Sequence, residues 1–102
     1  MRLVRPCDGT ALHQAARRGH QSIVRFLVEH GANISMPDEH GQTLLHLAAQ
    51  NGHEELVQYA LAEGCPIDAK DYNGYTSLHL AAENGQESMV KLLVEAGASI
   101  DL

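Results

Sequence analysis

The chain has no tryptophan, one phenylalanine and three tyrosines, so aromatics make up only 4% of its 102 residues. That argues against a large aromatic-lined cofactor pocket. Cysteine is equally sparse: Cys7 and Cys65 lie far apart with no CxxC pair, and read as free thiols of a reducing compartment. Basic residues are few, seven Lys and Arg against thirteen Asp and Glu, for a net charge of −6. A chain of that sign repels phosphate, which disfavours generic binding to nucleic acid or to an anionic membrane. No apolar run approaches the roughly 18 residues of a membrane span. The start, Met1 to Pro6, has no hydrophobic segment long enough for a signal peptide. There is no GxSxG and no glycine-rich phosphate loop. The expectation is a non-enzymatic intracellular protein, cytoplasmic or nuclear, with no catalytic residue, cofactor or metal.

What the chain does have is an ordinary apolar fraction, 44%, enough for the core of one domain spanning residues 1–102. Its charge is uneven. Arg2, Arg5, Arg17, Arg18 and Arg25 face only Asp8 among the first 25 residues, whereas Lys70 and Lys91 face twelve acids in the remainder. A partner would meet a positive end and a negative body.

Sliding the sequence on itself by 33 residues aligns it three times, as Arg5–Pro37, Asp38–Lys70 and Asp71–Leu102. Nine positions are identical in all three units, among them Thr10/Thr43/Thr76, Leu12/Leu45/Leu78, His13/His46/His79 and Gly19/Gly52/Gly85. Each threonine stands where a helix begins, since its hydroxyl can accept from the unpaired N–H groups of the first turn. In the middle unit the pattern predicts a short helix over about 44–51, with Leu45, Ala48 and Ala49 on one narrow face. Gly52 ends it. A second helix over about 54–63 is apolar at Leu56, Val57, Tyr59, Ala60 and Leu61, and ends at Gly64. An extended stretch, Ile67 to Asp71, leads into Asn73-Gly74, a hairpin signal. One such unit cannot bury its apolar face alone, so three must stack.

The pattern Thr-x-Leu-His-x-Ala-Ala-x-x-Gly resembles the ankyrin repeat, most fully in Asp38-x-x-Gly41-x-Thr43-x-Leu45-His46-x-Ala48-Ala49-x-x-Gly52 and its copy from Asp71 to Gly85. The resemblance implies an all-α repeat solenoid, a stack of three helix-turn-helix units with short β-hairpin loops. Departures are visible. The proline usual between Thr and Leu is replaced by Ala11, Leu44 and Ser77, which removes some preorganisation of each helix start. The first unit has Arg5 and Asp8 where the others have Asp and Gly, so its hairpin is expected to be incomplete.

The resemblance also assigns roles. His13, His46 and His79, one per unit, are expected to tie hairpin to helix start rather than to hold a metal. His20 and His53 read as loop-fixing, His30 as a helix-end cation, and His40 as a residue at a hairpin tip. Joint titration of several histidines would weaken the fold near pH 6. The position hydroxylated in some ankyrin repeats is Ser35, Asp68 and Asp101 here, never asparagine. Partners of the family contact hairpin tips and the exposed face of the first helix. Carried over, the candidate binding residues are Glu39, His40 and Gln42 on one tip, and Tyr72, Asn73 and Tyr75 on the next. The groove would be lined by Arg17, Arg18, Gln50, Asn51, Glu83 and Asn84, flanked by Met36, Leu44 and Lys70. The two tyrosines are the sharpest signal, since tyrosine offers contact area at low entropic cost. Tyr75 has an alternative use, as a cover for the neighbouring hairpin. The groove grades from Arg17 and Arg18 to Glu83, a polarity able to orient a partner.

The expected function is capture of a protein partner. The alternative is a spacer within a longer array, with recognition elsewhere. The third unit carries Met89, Val90, Leu92, Leu93, Val94 and Ile100 like an internal unit, so its end face is expected either to continue into further units or to self-associate.

Overall fold

Thr43 and Thr76 show how the sequence starts its helices. Thr43 is extended (φ −95°, ψ 176°) and its N–H donates to Nδ1 of His46, 3.0 Å away. Thr76 repeats this with His79 at 3.0 Å, and its Oγ1 accepts from the His79 N–H at 3.3 Å. This is a reciprocal cap with histidine in the role glutamate often plays.

The computed structural model describes residues 11–100. They form α1 (Ala11–Arg18), α2 (Gln21–Glu29), α3 (Leu44–Gln50), α4 (Glu54–Ala62), α5 (Ser77–Glu83) and α6 (Glu87–Glu95), with no strand among the described residues. Thr10, Cys7, the first hairpin and the last two residues, Asp101 and Leu102, lie outside them. The six helices pair as α1–α2, α3–α4 and α5–α6, one pair per unit, as an all-α repeat stack requires. The inner helices α1, α3 and α5 pack on one another, and each outer helix packs on its own inner helix. The described chain is elongated, 45 × 26 × 21 Å.

Alanine makes the inner contact possible. Ala16, Ala48, Ala49 and Ala81 are fully buried, so neighbouring inner helices approach closely. Leu44, Leu45, Leu56, Val57, Met89 and Leu93 fill the space beside them. Leu44 is therefore core and does not flank the groove. The positions lacking proline are used otherwise: Leu44 adds buried apolar surface, while buried Ser77 donates through Oγ to the Ile67 carbonyl at 3.5 Å.

The loops reverse like hairpins but are tied by single backbone pairs. The Asp38 N–H donates to the Gln42 carbonyl (2.9 Å) and the Asp71 N–H to the Tyr75 carbonyl (2.8 Å). Two local expectations change. Ile67–Asp68 is a turn after Pro66 and not part of an extended run. The tip turn is centred on Tyr72–Asn73, closed by Gly74 N–H to the Asp71 carbonyl at 3.0 Å. Gly74 alone takes the left-handed conformation (φ +85°), with Asn73 at negative φ. The Asp71 carboxylate sets this geometry by accepting from the Asn73 and Tyr75 N–H groups.

Candidate functional site

Each loop is organised by a buried aspartate. Asp38 Oδ1 accepts from the N–H groups of His40 (2.8 Å) and Gln42 (2.9 Å). Asp71 Oδ1 accepts from Asn73 and Tyr75, both at 2.9 Å. The second oxygen links units: Arg17 Nη2 donates to Asp38 Oδ2 at 3.3 Å, and Gln42 Nε2 to Asp71 Oδ2 at 3.2 Å. Burial pushes the Asp71 pKa up, but the Tyr75 N–H, the Gln42 amide and the Asn73 N–H outweigh it, and the net shift is downward. The motif Asp-x-x-Gly announced these turns in the sequence, although the carboxylates themselves were not singled out.

The repeated histidines supply a second set of ties. His46 accepts at Nδ1 from Thr43 and donates through Nε2 to the Tyr75 carbonyl of the next loop, 3.0 Å away. His13 donates through Nε2 to the Met36 carbonyl at 2.8 Å. Burial holds the His46 pKa below its ordinary value, against smaller upward effects of the Tyr75 carbonyl and the Asp71 charge. His53 packs on Gly19 of the preceding unit, and its Nε2 donates to the Arg17 carbonyl at 3.0 Å. His30 caps α2, bonding the Phe26 carbonyl at 2.8 Å with its ring on the Phe26 ring, centroids 4.1 Å apart.

The remaining candidates fall into two groups. Arg17 and Gln42 hold the buried aspartates. The Asn51 amide donates to the Leu47 carbonyl (2.8 Å), and the Asn84 amide to Leu80 (3.0 Å) and Gln50 (3.3 Å), closing helix ends. Gln50 is half-buried, its Oε1 shielded and unpartnered. Arg18, Asn51, Glu83 and Asn84 are exposed, as are the loop tips.

At the tips, Glu39 and His40 face each other at 3.2 Å, and Asn73, Lys70 and Met36 are exposed. Tyr72 is 73% exposed and Tyr75 43%. It is Tyr72 whose ring lies over the neighbouring loop, against Gly41, and whose N–H donates to the His40 carbonyl at 3.0 Å. The Tyr75 ring meets His79 edge-on at 6.1 Å. Both rings thus rest on a fixed support with their outer surfaces open.

Reactive chemistry has little to work with. Cys65 is buried, donates to the Ile34 carbonyl at 3.7 Å, and has its pKa raised by burial, which keeps the thiol protonated. Among the described residues no three His, Cys, Asp or Glu side chains cluster as a metal would require. No described helix is long and apolar enough to cross a membrane.

A capped inner helix, a packed outer helix and an aspartate-pinned loop recur in register, and the family model for ankyrin repeats (3 copies) matches residues 12–102. The chain belongs to the ankyrin-repeat family. Comparison with curated proteins gives no match. Ankyrin repeats generally mediate protein–protein interaction and are typically non-enzymatic.

Proposed function

We propose that this ankyrin-repeat chain is a non-enzymatic module that captures a protein partner through its loop tips and inner-helix groove. The observation that supports this reading is the contrast at the third loop. Its backbone is pinned by Asp71 and His46, while Tyr72 and Tyr75 leave 73% and 43% of their surface open. Rigid aromatic anchors on a preorganised support bind with little entropy loss. Arg18 and Glu83, at opposite ends of the groove, set the polarity of the partner.

Tyr72→Ala with Tyr75→Ala should weaken partner capture by at least about tenfold, as hot-spot loss does, with little change in melting temperature. Capture from lysate by the parent chain followed by titration of the double variant measures this, and unchanged affinity removes the tyrosines from the site. The second reading is a spacer within a longer array, and the exposed apolar side chains of Ile23, Val94 and Ile100 favour it. It wins if capture appears only when further repeats are appended to residues 1–102.

A further inference from the structure

Asparagine is followed by glycine three times, at Asn51-Gly52, Asn73-Gly74 and Asn84-Gly85. The pair carries a latent reaction. The glycine nitrogen can attack the asparagine Cγ, and glycine has no Cβ to obstruct the ring that forms. The attack requires ψ and χ1 of the asparagine to turn until nitrogen meets carbon. What holds those two torsions decides which pair reacts.

Two of the pairs are held at both torsions. Asn51 and Asn84 close α3 and α5, each with ψ 6°. The Asn51 amide donates to the Leu47 carbonyl at 2.8 Å. The Asn84 amide donates to Leu80 at 3.0 Å and, across the unit boundary, to Gln50 at 3.3 Å. Turning χ1 breaks these bonds. Just past the glycines, the His53 and Gln86 N–H groups return to the Ala48 and Ala81 carbonyls, both at 2.9 Å. Turning ψ therefore undoes the helix end.

Asn73 differs in its side chain. It is exposed at the tip of the third loop, and its amide has no hydrogen-bond partner among the described residues. Its χ1 is free to turn. A Cβ on Gly74 would meet nothing within 4 Å, whereas at Gly52 the Gln86 side chain stands 3.0 Å away. The attacking nitrogen itself does not discriminate, since Gly52, Gly74 and Gly85 each donate to a carbonyl three residues back, at 3.3, 3.0 and 3.1 Å. At the exposed tip that bond is released by local opening of a single turn rather than of a packed helix end.

We propose that Asn73 is a site of spontaneous conversion to aspartate and isoaspartate, singled out from the other two Asn-Gly pairs by its untethered amide. The Gly74 nitrogen bonds to Asn73 Cγ and loses its proton. The Cγ–Nδ2 bond breaks, and ammonia leaves carrying that proton. Water then opens the five-membered imide at either carbonyl, so no oxidant or reductant is needed. Opening at Cγ restores the normal chain as aspartate. Opening at the backbone carbonyl leaves isoaspartate, with the chain running through the side chain. Isoaspartate inserts one backbone atom between the N–H groups of residues 73 and 75, both held by Asp71 Oδ1 at 2.9 Å. It also sets a new carboxylate beside the buried Asp71, and like charges repel. The loop then loses the grip that fixes Tyr72 and Tyr75. Loss of partner capture follows only if this loop is the capture site proposed above; the conversion itself does not depend on that reading.

Incubation of the folded full chain in mildly alkaline buffer, followed over weeks by peptide mass mapping, tests the proposal. Each conversion adds one mass unit, and isoaspartate is told apart by its fragmentation. The urea-unfolded chain is the reference, in which all three pairs should convert at similar rates. In the folded chain Asn73 should convert at least about fivefold faster than Asn51 or Asn84, the effect of the one side-chain hydrogen bond it lacks. Gly74→Ala should suppress conversion at residue 73 and leave the other two sites unchanged. A folded chain in which Asn73 converts no faster than Asn51 and Asn84 overturns the proposal. So does conversion at Asn73 that continues undiminished in Gly74→Ala, which means that the Gly74 nitrogen is not the attacking group. Converted chains separated by ion exchange then test the capture site on its own. If they bind the partner as well as the parent does, the loop is not the capture site, and the modification stands.

Discussion

The middle and third units carry nearly the same residues and live in different surroundings. Leu45 is 1% exposed and Leu78 is half-buried; Val57 is fully buried and Val90 half-buried; His46 is buried and His79 half-buried. The local chemistry is the same, since both threonines cap their helices through the same histidine nitrogen at 3.0 Å. What differs is the neighbour. Secondary structure here is a property of the unit, and most of the burial that stabilises it belongs to the junction between units.

The largest break in this comparison comes from the leucine pair. Leu45→Ala removes a core side chain that is 1% exposed and should cost about 3 kcal/mol. Leu78→Ala removes one already touching solvent and should cost about 1 kcal/mol. Urea denaturation of the two variants measures the difference. Equal losses would mean that stability resides within units rather than between them.

The histidine pair comes next. His46→Ala leaves the buried Thr43 N–H and the Tyr75 carbonyl without their ring partner, and should cost about 2 kcal/mol. His79→Ala should cost less, because its half-buried site lets water take over what the ring leaves. Amide exchange at Thr43 and Thr76 separates the two, with the larger loss of protection expected at Thr43.

Acid should act on the middle unit in the same way, more gently. Burial lowers the His46 pKa in the fold below its ordinary 6.5. Above 6.5 the ring is neutral folded or unfolded, and pH has no effect through it. As pH falls below 6.5, the unfolded chain takes up a proton that the folded chain resists, so stability declines until the folded pKa is passed. Asp71 adds a separate window. Its folded pKa lies below the ordinary 3.8, so its contribution is complete above that value and is lost as pH falls through the folded pKa. Melting temperatures from pH 8 to 3 should show a first decline beginning near 6.5, absent in a His46→Gln variant, and a second below 4.

The fold was legible because the 33-residue register repeats cap, core and glycine positions three times, and repetition overrides weak local propensity. The loop tip was misread because Asn73-Gly74 was weighed as a dipeptide. The Asp71 carboxylate, bonding the N–H groups of Asn73 and Tyr75, sets the turn one residue earlier. Exposure of the tyrosines could be seen in the sequence, since nothing in the repeat requires an aromatic there. The engagement of Arg17 and Gln42 could not, because their partners, Asp38 and Asp71, lie 21 and 29 residues away in other units. Leu44 was placed beside the groove from its position at the helix start, but the leucine there is fully buried in the core.

The smallest effect tests the support beneath Tyr72. Gly41 and Gly74 both take left-handed conformations, φ +78° and +85°. A Cβ at Gly74 meets nothing within 4 Å, so Gly74→Ala should carry only the left-handed penalty, about 1 kcal/mol. A Cβ at Gly41 runs into the Tyr72 ring, so Gly41→Ala should carry that penalty and also lift the ring from its loop. The two variants should therefore melt within a few degrees of each other, because the exposed ring can move outward. Only Gly41→Ala should change the tyrosine environment, read as ring proton shifts of Tyr72, and only it should weaken partner capture. If both variants leave those shifts in place, Tyr72 is held by its backbone bond to the His40 carbonyl, and the ring contact with Gly41 is incidental.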